Sequence, residues 1–98
     1  MIGYRFLAPA DQEMTEAAVF YEIESPGLGV DFLNDLQLAV DTLRAHPSLG
    51  APVGRRLRRG LLHRFPFSLI YVIENDEMLV VAVAHEKRRP DYWRDRIG

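Results

Sequence analysis

The sequence predicts an α+β domain: an N-terminal strand, an antiparallel two-helix hairpin, then a three-stranded antiparallel meander, with all strands in one small sheet and the helices on one face. Three observations predict it. Ile2 to Leu7 alternates around Tyr4 and Phe6 with the period of a half-buried strand. Two apolar stripes of helical period follow, separated by the breaker cluster Ser25-Pro26-Gly27-Leu28-Gly29. Finally, two β-rich runs, Leu62 to Glu74 and Met78 to His85, meet at Asn75-Asp76, a pair that tolerates the left-handed backbone of a tight hairpin turn.

The first helix starts at Pro9, where a missing N–H is no loss, and Asp11 and Glu13 place negative charge at the positive end of its dipole. Met14, Ala17, Ala18 and Tyr21 give its stripe, and it runs to about Glu24. The second helix starts near Val30. Its stripe is Leu33, Leu36, Val40 and Leu43, widened by Phe32 and Ala39, and His46-Pro47 stops it because proline disfavours a helical residue before it. Ser48 to Gly54 is a turn-rich connection, and Arg55 to Arg59 is a short, heavily charged strand of the kind found at sheet edges.

At 98 residues the chain makes one domain, residues 1–98, with 90–98 as a C-terminal tail. Hydrophobic residues at 48% and charged residues at 27% are those of an ordinary globular protein. The net charge of -2 conceals a division. Residues 1–54 carry two basic and eight acidic side chains, a balance of -6, while residues 55–98 carry ten basic and six acidic ones, a balance of +4. An anionic partner would meet the C-terminal half. With no cysteine, disulfides and thiolate chemistry are excluded, and no apolar run is long enough to span a bilayer, so a cytoplasmic protein is expected.

Centring the hairpin on Asn75-Asp76 pairs Ile73 with Met78, Tyr71 with Val80, Leu69 with Ala82 and Phe67 with Ala84 on one face. The opposite face then holds Val72 with Leu79, Ile70 with Val81, and Ser68 with Val83. Both faces are mostly apolar. Two short helices cover one of them, so the other is expected to remain open as a docking surface unless the tail or a second copy of the chain covers it.

Cofactor signatures are missing. Gly27-Leu28-Gly29 lacks a third glycine and a preceding strand, which leaves no phosphate loop and no expected cofactor. His85-Glu86-Lys87-Arg88-Arg89 begins like a zinc-protease helix but has Arg89 in place of the second histidine, and His46 and His63 lie far off, so no metal is expected. The basic residues Arg56, Arg58, Arg64, Arg88 and Arg89, near Tyr71, Tyr92 and Trp93 in sequence, suit a surface for phosphates, for stacked bases or for an acidic protein segment. His85 ends a strand beside Arg88, and histidine is the side-chain type best suited to proton transfer near neutrality.

The order of elements resembles the RelE/ParE superfamily of toxins from bacterial toxin–antitoxin modules. The residues that carry the likeness are Ala10-Asp11, Asp31-Phe32-Leu33, His46-Pro47-Ser48-Leu49-Gly50, Arg64-Phe65-Pro66-Phe67-Ser68-Leu69-Ile70-Tyr71 and Val83-Ala84-His85 with Lys87-Arg88-Arg89. The resemblance implies a toxin neutralised by a cognate antitoxin, which would dock on the open face at Ile70, Val72, Leu79, Val81 and Val83. Its RelE branch cleaves messenger RNA on the ribosome, and its ParE branch poisons DNA gyrase. For the RelE branch, Arg88 matches the arginine after the last strand, Tyr92 the C-terminal tyrosine after a local shift, with His85 assisting. For target or phosphate binding the candidates are Arg56, Arg58, Arg64 and Arg89. Ser68 stands where the nuclease branch carries an arginine, which moves the expectation to the ParE branch, a non-enzymatic gyrase poison, with the ribosome-dependent endoribonuclease as the alternative.

Overall fold

The computed structural model describes residues 1–97 as β1 (Gly3–Phe6), α1 (Ala8–Glu24), α2 (Leu28–Ala45), β2 (Ala51–Val53), β3 (Leu57–Leu61), β4 (Phe67–Glu74) and β5 (Glu77–His85), with a 3-10 turn at Arg94–Arg96. The α+β class, the element order and the helices on one face agree with the sequence. The sheet differs in detail. It has five strands in the order β1-β5-β4-β3-β2, and β1 runs parallel to β5, so the sheet is mixed. The added strand, β2, is three residues long and pairs with β3 across a turn in which Gly54 takes a positive φ of 66°. Arg55 and Arg56 belong to that turn, and β3 begins only at Leu57.

Glu22 joins the two helices. Its carboxylate accepts the N–H groups of Gly27 at 2.9 Å and Gly29 at 3.0 Å, placing negative charge on the positive end of α2. Gly29 also lies against α1, where a Cβ would stand 2.5 Å from the Ala18 carbonyl oxygen. A side chain there would push the helices apart. The buried stripe of α2 is Phe32, Leu36, Val40 and Leu43 with Asp35 beside it, while Leu33 remains 39% exposed. The i, i+4, i+8, i+11 set thus faces the sheet, and Leu33, assigned to the stripe from sequence, points outward.

The Phe65-Pro66-Phe67 segment fastens the sheet to the helices. Phe32 packs against the rings of Phe65 (5.4 Å), Phe67 (5.1 Å) and Tyr21 (5.4 Å), distances typical of edge-on and tilted aromatic pairs. Phe32 is fully buried, so shortening it to alanine is expected to destabilise the domain by about 3–5 kcal/mol in a denaturant titration. Below the helices, the Tyr71 hydroxyl donates to the Pro47 carbonyl at 2.7 Å and accepts the Gly50 N–H at 3.0 Å, tying the α2–β2 connection to the sheet.

Asn75 and Asp76 form the hairpin turn with φ of 51° and 60°. The expected pairs Ile73 with Met78, Val72 with Leu79 and Tyr71 with Val80 are present. Then the register slips. Beyond a bulge, Ile70 pairs with Ala82, Leu69 with Val83, Ser68 with Ala84 and Phe67 with His85. The extra residue in β5 lets Val81 and Ala82 face the same side and turns Val83 to the helices. Val83 is therefore a core residue beneath α1 and not part of the second face.

The second face is closed as well. Ile70, Val72, Leu79 and Val81, each at most 6% exposed, pack in a cluster with Ala82, Ala84 and Trp93, bordered by Tyr92 and Ile97. The tail after Pro90 crosses the sheet and covers the face that was expected to stay open. Residues 92–97 supply the apolar cover, which corrects the expectation that Ile70, Val72, Leu79, Val81 and Val83 are exposed for a partner.

Candidate functional site at the C-terminal clasp

Strand β1 is too short to accompany β5 along its whole length. After the Leu7 N–H donates to the Val80 carbonyl at 3.0 Å, β5 continues without a neighbouring strand on that side. Two side chains take its place. The Glu13 carboxylate accepts the Val83 N–H at 3.0 Å, and the Arg96 guanidinium donates to the Val81 carbonyl at 3.0 Å. Arg96 also grips Glu13 with both fork nitrogens, at 2.8 and 3.0 Å. A carboxylate on α1 and an arginine on the tail thus complete the hydrogen bonds of a strand edge.

Tyr92 closes the clasp. Its hydroxyl donates to Glu13 at 2.6 Å, and the guanidinium groups of Arg88 and Arg96 lie 4.0 and 5.0 Å from its ring centre. Burial raises the Tyr92 pKa, and the hydrogen bond to Glu13 and the charge of that carboxylate raise it further. Burial also pushes Glu13 upward, but the hydrogen bonds from Arg96, Tyr92 and the Val83 N–H outweigh it and hold Glu13 below its ordinary value of 4.5. A carboxylate depressed on folding stabilises the protein at pH above its unfolded value, and that contribution fades as pH falls through the folded value. Acid denaturation is therefore expected to begin below about pH 4.5, and Glu13→Gln to flatten this part of the stability profile.

Of the residues expected to do chemistry, the clasp holds Arg88 and Tyr92, with His85 beside them. Arg88 lies 3.8 Å from Glu13 and is half exposed. The Nδ1 of His85 accepts the Lys87 N–H at 3.0 Å, and its ring meets Phe67 edge-on at 5.0 Å. Tyr92 is occupied by Glu13, and its raised pKa makes it a poor proton donor or acceptor near neutrality. These groups form a structural lock more readily than an acid–base pair.

The four arginines expected to bind a target or phosphate do not meet. Arg56 pairs with Glu74 at 3.3 Å, at the hairpin end of the sheet, away from His85. Arg58 turns to the helix side and donates to the carbonyls of Ser48 (3.1 Å) and Gly50 (2.6 Å), which makes it a support for the α2–β2 connection. Arg64 sits 4.0 Å from Asp31, and its backbone N–H donates to the buried Asp35 at 2.8 Å. Arg89 is exposed and shows no ion pair among the described residues. They scatter because they lie on four separate segments: the β2–β3 turn, β3, the β3–β4 connection and the stretch after β5.

Sequence reasoning passed over three participants. Glu13 counted only as a charge at a helix start and Arg96 only as part of the tail, since nothing local links residues so far apart. Arg59 was hidden in the run Arg55 to Arg59. Its register opposite Ile70 puts it on the second face, where its Nε donates to the Ser68 hydroxyl at 3.0 Å. Strand alternation from Ile70 would have found it. Among the described residues no group of three or more histidines and carboxylates is placed to hold a metal ion, and no helix is long and apolar enough to cross a membrane.

The model of a family described as ParE toxin of type II toxin-antitoxin system, parDE, matches residues 4–90. Among solved structures the fold is similar to a chain titled "Chromosomal ParDE TA system from P. aeruginosa", with a TM-score of 0.76 and 19% identity over 87% of this chain and 96% of that one. No curated protein matches the chain by sequence.

Proposed function

The chain belongs to the ParE toxin family of type II toxin–antitoxin systems, and on that premise we propose that it is a non-enzymatic poison of DNA gyrase held inactive by a cognate antitoxin. The observation that carries the non-enzymatic reading is Tyr92: its hydroxyl is bound by Glu13, and Ser68 stands where the nuclease branch would carry an arginine. A ribosome-dependent nuclease would need an acid and a base free to exchange protons at the scissile phosphate. Purified toxin is expected to inhibit gyrase supercoiling in a stoichiometric manner. Full supercoiling at a large molar excess of toxin would reject gyrase as the target, and new ribosomal A-site breaks in a toeprint would restore the nuclease.

Antitoxin docking belongs on surface that is apolar and open. A groove of about 660 Å³ between α2 and the β2–β3 hairpin fits this, since Leu38, Leu49 and Leu61 line it and remain 59%, 64% and 62% exposed. Buried against a partner, each would contribute roughly 1.5–3 kcal/mol gross. Leu38→Glu is expected to weaken the antitoxin complex at least tenfold in a co-purification or titration experiment without lowering the melting temperature. Unchanged affinity would move the docking site elsewhere.

A further inference from the structure

The tail does not cover the second face evenly. At the end where β4 begins and β5 finishes, the sheet floor is the cross-strand pair Ser68 and Ala84, two small side chains beside the larger Ile70 and Trp93. The result is a cleft of about 80 Å³. Arg59 borders it from β3, Arg88 from the turn after β5, and Pro90 and Trp93 from the tail. At roughly 10–15 Å³ of such space per water, the cleft has room for a small oxyanion and little more.

Its electrostatics point the same way. Arg59 makes no ion pair among the described residues, whereas seven other arginines do. Its Nε is spent on Ser68, which holds the guanidinium at the cleft, and its two terminal nitrogens have no hydrogen-bond partner among the described residues. The Ser68 side chain is nearly inaccessible, and its hydroxyl, having accepted from Arg59, keeps a hydrogen to donate. Arg88 is bound to Glu13 only at 3.8 Å, an arrangement that leaves donors for another acceptor. Glu86 also borders the cleft and opposes an anion, but it is exposed and screened by water.

We propose that this cleft binds one phosphate group, between the guanidinium groups of Arg59 and Arg88 and over the Ser68 hydroxyl. Planar guanidinium forks match tetrahedral phosphate oxygens, and a floor hydroxyl supplies a third donor. The group is either a free phosphate or a phosphodiester of a nucleic-acid strand.

Nuclear magnetic resonance of the full chain tests the site through the Arg59 Nε–H and Trp93 indole signals. Titration with inorganic phosphate is expected to move both saturably, beyond the shift that sodium chloride produces at equal ionic strength. Arg59→Gln and Ser68→Ala, each keeping the wild-type melting temperature, are expected to weaken binding about tenfold and severalfold respectively, because each removes charge-assisted donors or their support. Arg56→Gln, at the opposite end of the sheet, is expected to change nothing. A short single-stranded oligonucleotide that displaces inorganic phosphate identifies the phosphodiester as the ligand, and one that fails to do so identifies free phosphate. Shifts no larger than those in chloride, or binding that survives in both Arg59→Gln and Ser68→Ala, overturn the proposal.

Discussion

Replacing Trp93 by alanine is expected to lower the unfolding free energy by about 3–5 kcal/mol, the range for deleting a buried aromatic side chain. Trp93 is 9% exposed and is the largest member of the cluster that covers Ile70, Val72, Leu79 and Val81. For a domain of this size each kcal/mol moves the melting temperature by about 4–8 °C, so the loss would exceed ~12 °C. It would also uncover apolar surface. Increased binding of a hydrophobic dye at temperatures where the far-ultraviolet circular dichroism is unchanged separates this opening from global unfolding. Trp93→Phe, which keeps much of the apolar cover, should lose less than half as much. A loss below ~1 kcal/mol for alanine would mean that the tail does not hold the face closed.

Removing the carboxylate of Glu13 is expected to cost about 3 kcal/mol. Four donors converge on it: the Val83 N–H, the Tyr92 hydroxyl and two nitrogens of Arg96. Glu13→Ala would leave the largely buried Arg96 charge without its partner, the situation in which a broken ion pair is most damaging. The Arg5–Glu77 pair is a natural comparison. It has a similar 3.0 Å distance, but through one nitrogen only and between side chains 61% and 44% exposed, so its contribution should lie within about 0–1 kcal/mol. A double-mutant cycle between Glu13→Ala and Arg96→Ala should therefore return a coupling above ~1.5 kcal/mol, against less than ~0.5 for Arg5 and Glu77. Equal couplings would show that solvent screens the clasp as fully as it screens the surface pair.

These expectations depend on features of unequal visibility in the sequence. The helical hairpin, the Asn75-Asp76 turn and the first three cross-strand pairs were legible because local chemistry specifies them: breakers, dipole charges and residues tolerant of positive φ. The bulge was not. Residues 78 to 84 are all apolar, so no polar side chain marks which face each belongs to, and a slip of one residue leaves the pattern unchanged. That slip sent Val83 to the helix core. The closing of the second face was hidden for a different reason: Tyr92, Trp93 and Ile97 are apolar, but only the turn at Pro90 and Asp91, where φ is 65°, directs them back across the sheet. At the candidate site, Arg88 and Tyr92 were visible as types, whereas their occupation by Glu13 is a contact across 79 residues for the tyrosine. Local periodicity carries no trace of such a contact.

The clasp also sets an order of events during synthesis. Arg96 and Glu13 are 83 positions apart, so the β5 edge and the second apolar face stay unprotected until residues 92–96 have been made and have cleared the ribosome. The nascent chain therefore passes through an interval with its helices and sheet assembled but one side of the sheet bare. Bare edges and apolar faces are the surfaces through which unfinished chains aggregate. A chain cut before residue 92 would expose that apolar face, and one that keeps residues 92–97 closes it.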